Sequence, residues 1–515
     1  LLWILRARTQ LLGDGAVWLA TARSGEHRAS SEPLFAVLWH GFAALVKWTG
    51  RAPDTTWMSL LSVACGVAAV PILAGLAREI TPSKGRWLIP FTLLLTLGIS
   101  QLWFGYIESY PLAAVLILTY LWLALRRARG ADPPWVLAPA LALTIAAHLT
   151  ALYLVPSYLI LVWIEKRSGM QKLVHLVLPF VILGVVFLVL RYRPSDWAAP
   201  LLAATRGMRE GFDRNLFHRV YGFLSYGHLA DLLNIVLLAM PAPALLLLGW
   251  IVAVRGRIWR LDRDLIVLAS AAIPGALVLI VLMTPVAPAQ DWDLETIFLL
   301  PAAVLGVAAG RWLWGVRRNR VQVAGLVGLS AVSLFSYVMV NANETAAVQR
   351  FGAVVSDRGR VSGYGRSYGA SILELYYRDH RQYASALSYA RAAVAAEPTN
   401  PRNWTNVGYE LMELGRYVEA IPFLREGIRR GPARWEGRYN LGLTLMKLGR
   451  YEDAVPPLRE AVALEGNLPV VRHSLGLALY RGGHTDEAVV VWREILARWP
   501  SYAASLQLPG GTPAP

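Results

Sequence analysis

Long apolar runs, interrupted by clusters of arginine and by short acidic stretches, fill the first two thirds of the chain. Those at 57–77, 87–104, 110–125, 135–164, 173–190, 231–254, 265–284, 296–316 and 321–340 predict membrane-crossing helices, because a hydrocarbon core about 30 Å thick takes about 20 residues rising 1.5 Å each. The run 135–164 is too long for one crossing, about 45 Å against about 30 Å, and divides at His148 and Leu149 into two short passes. PLFAVLWHGFAALVKW, residues 33–48, reads as an interfacial or re-entrant helix, and LLWIL, residues 1–5, as the end of a truncated first span.

The pattern changes after residue 345. FGAVVSDRGRVSGYGRSYGA carries no helical period, so 346–366 is expected to be a joint. Beyond it glycine recurs at 408, 442 and 476, alanine at 386, 420, 454 and 488, and proline at 398, 432 and 500, all on a 34-residue spacing. That is the period of the tetratricopeptide repeat, a pair of antiparallel helices. Four units cover 367–502, the first with Glu374 in the glycine slot, and 503–515 read as a tail. The expected fold is all-α: a polytopic membrane helix bundle over 1–345, followed by a tetratricopeptide α-solenoid.

Composition agrees with this division. At 56% hydrophobic and 16% charged, the chain is too apolar for an ordinary soluble domain. Residues 367–515 hold 17 basic against 15 acidic side chains, so the first 366 residues, with 33 against 19, carry nearly all of the net charge of +16. A basic excess confined to the membrane half points to topology and anionic lipid, and away from nucleic acid. The single cysteine, Cys65, excludes an internal disulfide.

Lys and Arg fall on alternate connections: at 78–86, 126–129, 166–172, 255–263 and 311–320. These mark a cytoplasmic face. The intervening short connections, 105–109, 148–149 and 285–294, hold no Lys or Arg and instead carry Glu108, Asp291 and Asp293. Asp14 and, by parity, the repeats fall on that same outer side. The layout predicts an integral protein of a bacterial inner (plasma) membrane with its repeats extracytoplasmic.

Several outer residues carry candidate chemistry. Asp14 in LLGDGAVWLA has glycine on both sides, which suits either a presented general base or the N-cap of a following helix. In FGYIESYP, Glu108 asks for an explanation, while Tyr106 and Tyr110 read as interface anchors. Asp291 and Asp293 in APAQDWDLETI read as helix caps or as sugar- or ion-binding acids, and His148 as a proton shuttle or a polar kink. Arg206, Arg209, Arg214 and Arg219 lie in a long outer loop, where guanidinium groups can grip a lipid-linked phosphate or rest against headgroups. In the repeats, Asn406, Tyr409, Tyr439, Asn440 and Tyr480 are candidates for a concave surface that takes a protein or peptide. No phosphate-binding glycine loop or zinc-ligand spacing occurs at useful strength.

An Asp just after the first span, a multispan bundle with acidic outer loops and a tetratricopeptide stack beyond it together resemble the GT-C membrane glycosyltransferases. The nearest architecture is that of the transmembrane and tetratricopeptide-containing O-mannosyltransferases. The resemblance implies transfer of a sugar from a polyprenyl-phosphate carrier to an outer acceptor, protein or glycan, with Asp14 as catalytic base. Family members often place two acids in the first loop, whereas this chain has Gly-Asp-Gly. The second carboxylate is then sought among Glu32, Glu108, Asp291 and Asp293, with Glu108 assigned a catalytic part. A monophosphate donor implies no metal or other cofactor; a pyrophosphate donor would imply a divalent metal. Two further readings compete: a non-catalytic, membrane-anchored repeat scaffold for envelope assembly, and a flippase or polysaccharide polymerase.

Overall fold

The computed structural model describes residues 1–9, 11, 15–24, 32–81, 86–131, 134–165, 168–192, 226–254, 262–281, 292–311, 320–358 and 361–499. The described secondary structure is helical, as expected, and the chain divides between Val354 and Val355 into two compact units.

Among the described residues of the first unit, five helices are long and apolar enough to cross a membrane: Thr55–Ile80, Tyr110–Ala128, Gly169–Val189, Arg263–Val281 and Arg320–Ala342. Asp54 opens the first of these by accepting a hydrogen bond from Trp57 N at 3.1 Å. Glycines on its inner face let large rings lie against the backbone. A Cβ at Gly66 would stand 2.6 Å from Trp103, and one at Gly75 2.5 Å from Trp122, the small-residue packing that membrane helices use. Pro33–Trp48 is a separate 16-residue helix that buries Phe35 and Trp39 against Trp18.

The run 135–164 breaks at His148, as its length required. Leu137–Ala147 ends there, a 3₁₀ turn follows over Leu149–Leu154, and Val155–Ile164 continues the passage. The run 231–254, expected as one crossing, is instead two helices, Tyr226–Ala239 and Pro241–Val254, bent by 109° at Met240. The cause is local: Pro241 and Pro243 have no N–H for the carbonyls four residues back, and their rings crowd the preceding turn. The run 87–104 likewise changes from an α-helix, Leu88–Leu95, to a 3₁₀ helix, Gly98–Trp103.

Ion pairs tie helix ends together. Arg129 joins Asp264 at 2.5 Å and Glu79 at 3.0 Å, Arg127 joins Glu165 at 2.5 Å, and Arg311 pairs with Asp262. Tyr106 and Glu108 precede the opposite end of the Tyr110–Ala128 helix, about 28 Å away at 1.5 Å per residue. The bundle therefore has an arginine-rich end and, across it, an end where buried acids gather.

The second unit is a stack of antiparallel helix pairs from Gly363–Asp379 to Thr485–Arg498. Gly408 faces Leu424, Gly442 faces Leu458 and Gly476 faces Trp492, each so closely that a Cβ would stand within 2.5 Å of the opposing side chain. The segment 346–366, expected to lack helix, is mostly helical. Glu344–Ser356 is opened by Asn343, whose side chain accepts from Ala346 N at 3.0 Å, and Gly363–Asp379 by Ser362, which accepts from Gly365 N at 3.0 Å. These side-chain caps offset the weak helix propensity of the local glycines.

Candidate functional site

Glu108 and Asp293 are not water-facing loop ends. Glu108 is 4% exposed and Asp293 1% exposed. A buried carboxylate is costly unless it is paired, and Asp293 is held from two sides: its Oδ2 accepts from Tyr106 Oη at 3.0 Å, and its Oδ1 from Leu294 N at 3.0 Å. Tyr106, expected to be an interface anchor, is a buried partner of that carboxylate. Burial, then the neighbouring charge of Asp293, pushes the Tyr106 phenol well above its ordinary value, so it remains a hydrogen-bond donor at neutral pH.

Gly105, at φ 75°, turns the chain before Tyr106. Tyr106 then separates two hollows. A cleft of about 390 Å³ is lined by Ala7, Leu11, Asn341, Arg350 and Phe351 together with Tyr106. The Arg350 guanidinium lies over the Tyr337 ring, 4.5 Å from its centroid. On the other side, a partly open hollow of about 200 Å³ is lined by residues that include Trp39, Met58, Ser62, Tyr106 and Glu108. A phenol, two carboxylates and a guanidinium thus gather at one end of the bundle, beside this cleft.

Glu32 and His148, separate candidates in the sequence, come together. Glu32 Oε1 lies 3.3 Å from His148 Nε2, within ion-pair distance. Nδ1 of the same ring accepts from Thr150 N at 3.3 Å and contacts Thr150 Oγ1 at 2.6 Å. The ring rests on Tyr110 at 5.1 Å, and only 3% of the histidine is exposed. With Nδ1 accepting from Thr150 N, Nε2 is the ring nitrogen that faces the carboxylate. His148 therefore stabilises the break between its helices and ties it to the start of Pro33–Trp48.

Asp14, Asp291, Arg206, Arg209, Arg214 and Arg219 lie outside the described residues. Arg350 is the site residue that sequence reasoning missed. It sits in a segment read as a joint, and its period became legible only with the helix. Among the described residues there is no group of three or more His, Cys, Asp or Glu side chains arranged to hold a metal.

In the repeats, two surface candidates have partners within the protein. Asn406 Nδ2 donates to Glu374 Oε2 at 2.6 Å, and Tyr409 lies beneath the Arg378 guanidinium at 4.5 Å. Arg378 also bonds Glu410 at 2.6 Å and pairs with Glu374. Tyr439, Asn440 and Tyr480 are half-buried, with Tyr439 against Trp435 and Tyr480 against Trp492.

A membrane-type helical bundle joined to a helical-repeat stack is the class that these features define. Residues 375–434 and 408–469 match the tetratricopeptide repeat family model, so the chain carries C-terminal tetratricopeptide repeats. Similar solved structures include MamA, 19% identical over 31% of this chain and 91% of that one, with a TM-score of 0.28. Another is YrrB, a tetratricopeptide protein with an unusual peptide-binding site, 20% identical over 31% and 79%, with a TM-score of 0.27. No curated protein matches the chain.

Proposed function

We propose that the chain is an integral-membrane glycosyltransferase of the GT-C type. It moves a sugar from a polyprenyl-phosphate donor to an extracytoplasmic acceptor, with the repeats recruiting a polypeptide. The observation that carries this reading is the meeting of buried Asp293, Glu108 and Tyr106 with Arg350 beside the cleft. A carboxylate can take the proton of an attacking hydroxyl, and a guanidinium can hold the departing phosphate through two parallel hydrogen bonds. The phosphate is already a good leaving group, so holding and orienting the two reactants does most of the work. Asp14 keeps its part as base by the family resemblance; Leu11, three residues before it, lines the cleft.

The test is transfer of radiolabelled hexose from a synthetic polyprenyl-phosphate hexose by the full chain in lipid nanodiscs. Asp14→Asn and Asp293→Asn should each abolish transfer without changing the melting temperature. Full turnover in both variants removes the carboxylates from the chemistry and the reading with them.

A second reading, a membrane-anchored scaffold for envelope assembly, is favoured by the family match falling within the repeats. It requires that residues 363–499, expressed without the bundle, keep both partner binding and biological effect.

A further inference from the structure

The 3₁₀ helix Gly98–Trp103 carries polar side chains into the interior of the bundle. Gln101 is fully buried and Ser100 is 2% exposed. Neither Nε2 nor Oε1 of Gln101, nor Oγ of Ser100, has a hydrogen-bond partner among the described residues. Ser330, fully buried on the Arg320–Ala342 helix, leaves its Oγ in the same condition. Buried polar groups in native proteins are nearly always satisfied, and those facing hydrocarbon are the costliest to leave bare.

Register brings Gln101 and Ser330 together. Residues three apart eclipse one another on a 3₁₀ helix, so Gly98, Gln101 and Phe104 form one row. Phe104, at the row's outer end, packs against Leu334 and Val338. Ser330 stands one α-helical turn before Leu334, and Gln101 one 3₁₀ turn before Phe104. Both helices run toward the Tyr106 end, so Gln101 and Ser330 fall at the same depth. Gly98, at the inner end of the row, meets the broken span: a Cβ there would stand 1.7 Å from the Leu238 carbonyl oxygen. At that break, Pro241 and Pro243 withdraw the N–H groups that would have bonded the Leu237 and Ala239 carbonyls.

We propose that Gln101 and Ser330 form an internal hydration site, holding one or more water molecules between the broken span and the Arg320–Ala342 helix. The donor set selects the ligand. Gln101 offers an N–H₂ donor and a C=O acceptor side by side, and the Ser330 hydroxyl can serve as either. A cation would face the amide N–H₂ and an anion the amide oxygen, whereas water satisfies both and makes the two to four bonds such sites use. Water held there also supplies donors to the carbonyls bared by the two prolines, which lets a span bend so sharply within an apolar bundle.

Radiolytic hydroxyl-radical footprinting of the full chain in nanodiscs tests this, because trapped water generates radicals beside residues that bulk solvent does not reach. Phe104 and Phe298 are both buried, at 6% and 2% exposed. Only Phe104 adjoins the proposed site, so it should be oxidised faster than Phe298. In a Gln101→Met, Ser330→Ala double variant its labelling should fall to the Phe298 rate. Equal rates for the two phenylalanines in the unaltered chain, or undiminished Phe104 labelling in a folded double variant, would overturn the proposal. Should the variant unfold, Phe298 labelling rises with it, and the comparison within the unaltered chain decides.

Discussion

Replacing Arg378 with methionine tests the energetics of the repeat stack at its most charged point. The guanidinium bonds Glu410 Nε-first at 2.6 Å, pairs with Glu374 and covers Tyr409. Methionine keeps much of the apolar stem and removes the charge, leaving carboxylates with side chains 2% and 0% exposed. Removing one partner of a buried ion pair costs about 3–5 kcal/mol. Because the Arg378 side chain itself retains 25% exposure, some water can take its place, so the lower end, about 3 kcal/mol, is expected. At 1.36 kcal/mol per tenfold, that is more than about a hundredfold in local opening. Repeat proteins are stabilised by nearest neighbours, so the effect should concentrate in Gly363–Asp379 and Tyr383–Ala396 and fade toward Pro469–Arg481. Hydrogen exchange of the whole chain, read by mass spectrometry and corrected for intrinsic rates, resolves these segments.

The pH dependence supplies the sign. Burial already raises the Glu410 carboxyl, with Arg378 opposing the rise; without Arg378 it should climb further. An acid whose folded pKa exceeds its unfolded value binds more protons when folded, so it favours the fold at low pH and loses that contribution as pH rises through the folded pKa. The deficit of the variant should therefore be largest at pH 7 and shrink toward pH 5. A change below tenfold at pH 7, or a deficit that grows on acidification, would refute the account of a buried network held by one cation.

Three other outcomes follow from the same geometry. Tyr106→Phe removes the phenol bonded to buried Asp293 and should lower hexose transfer while costing about 1–3 kcal/mol of stability, measured by turnover and thermal melting together. Arg350→Gln should raise the KM for the polyprenyl-phosphate donor much more than Arg350→Lys, which keeps the charge; equal KM values in both variants and the unaltered chain would remove Arg350 from donor binding. Gly476→Ala places a Cβ 2.4 Å from Trp492 Nε1 and should cost about 1–3 kcal/mol by overpacking, with most of the loss recovered when Trp492→Leu is added.

Much of the fold was legible because periodicity is local. Apolar length marked the long helices, a 34-residue spacing marked the repeats, and the excess length of 135–164 required the break found at His148. The bend at Met240 was also written in the sequence, in Pro241 and Pro243, but total apolar length outweighed it in the reading. Where a buried polar group finds its partner is not a local property. Tyr106 was read as an anchor from its neighbours, yet its role comes from Asp293, 187 residues away. Glu32 and His148 were each candidates singly; only the tertiary fold pairs them.

The worn first repeat shows how far register alone can carry such an inference. In the later repeats the slot pairs a glycine with a large residue sixteen positions on: Gly408 with Leu424, Gly442 with Leu458, Gly476 with Trp492. The same offset from Glu374 gives Ala390, so the first unit reverses the order of small and large. A carboxylate placed in an apolar slot calls for a cation within reach, and helix geometry puts position i+4 on the same face. That position is Arg378. The large-for-small exchange and the cation it demands were thus both written in the sequence; the second carboxylate, Glu410, reached Arg378 only through the stacking of one repeat on the next.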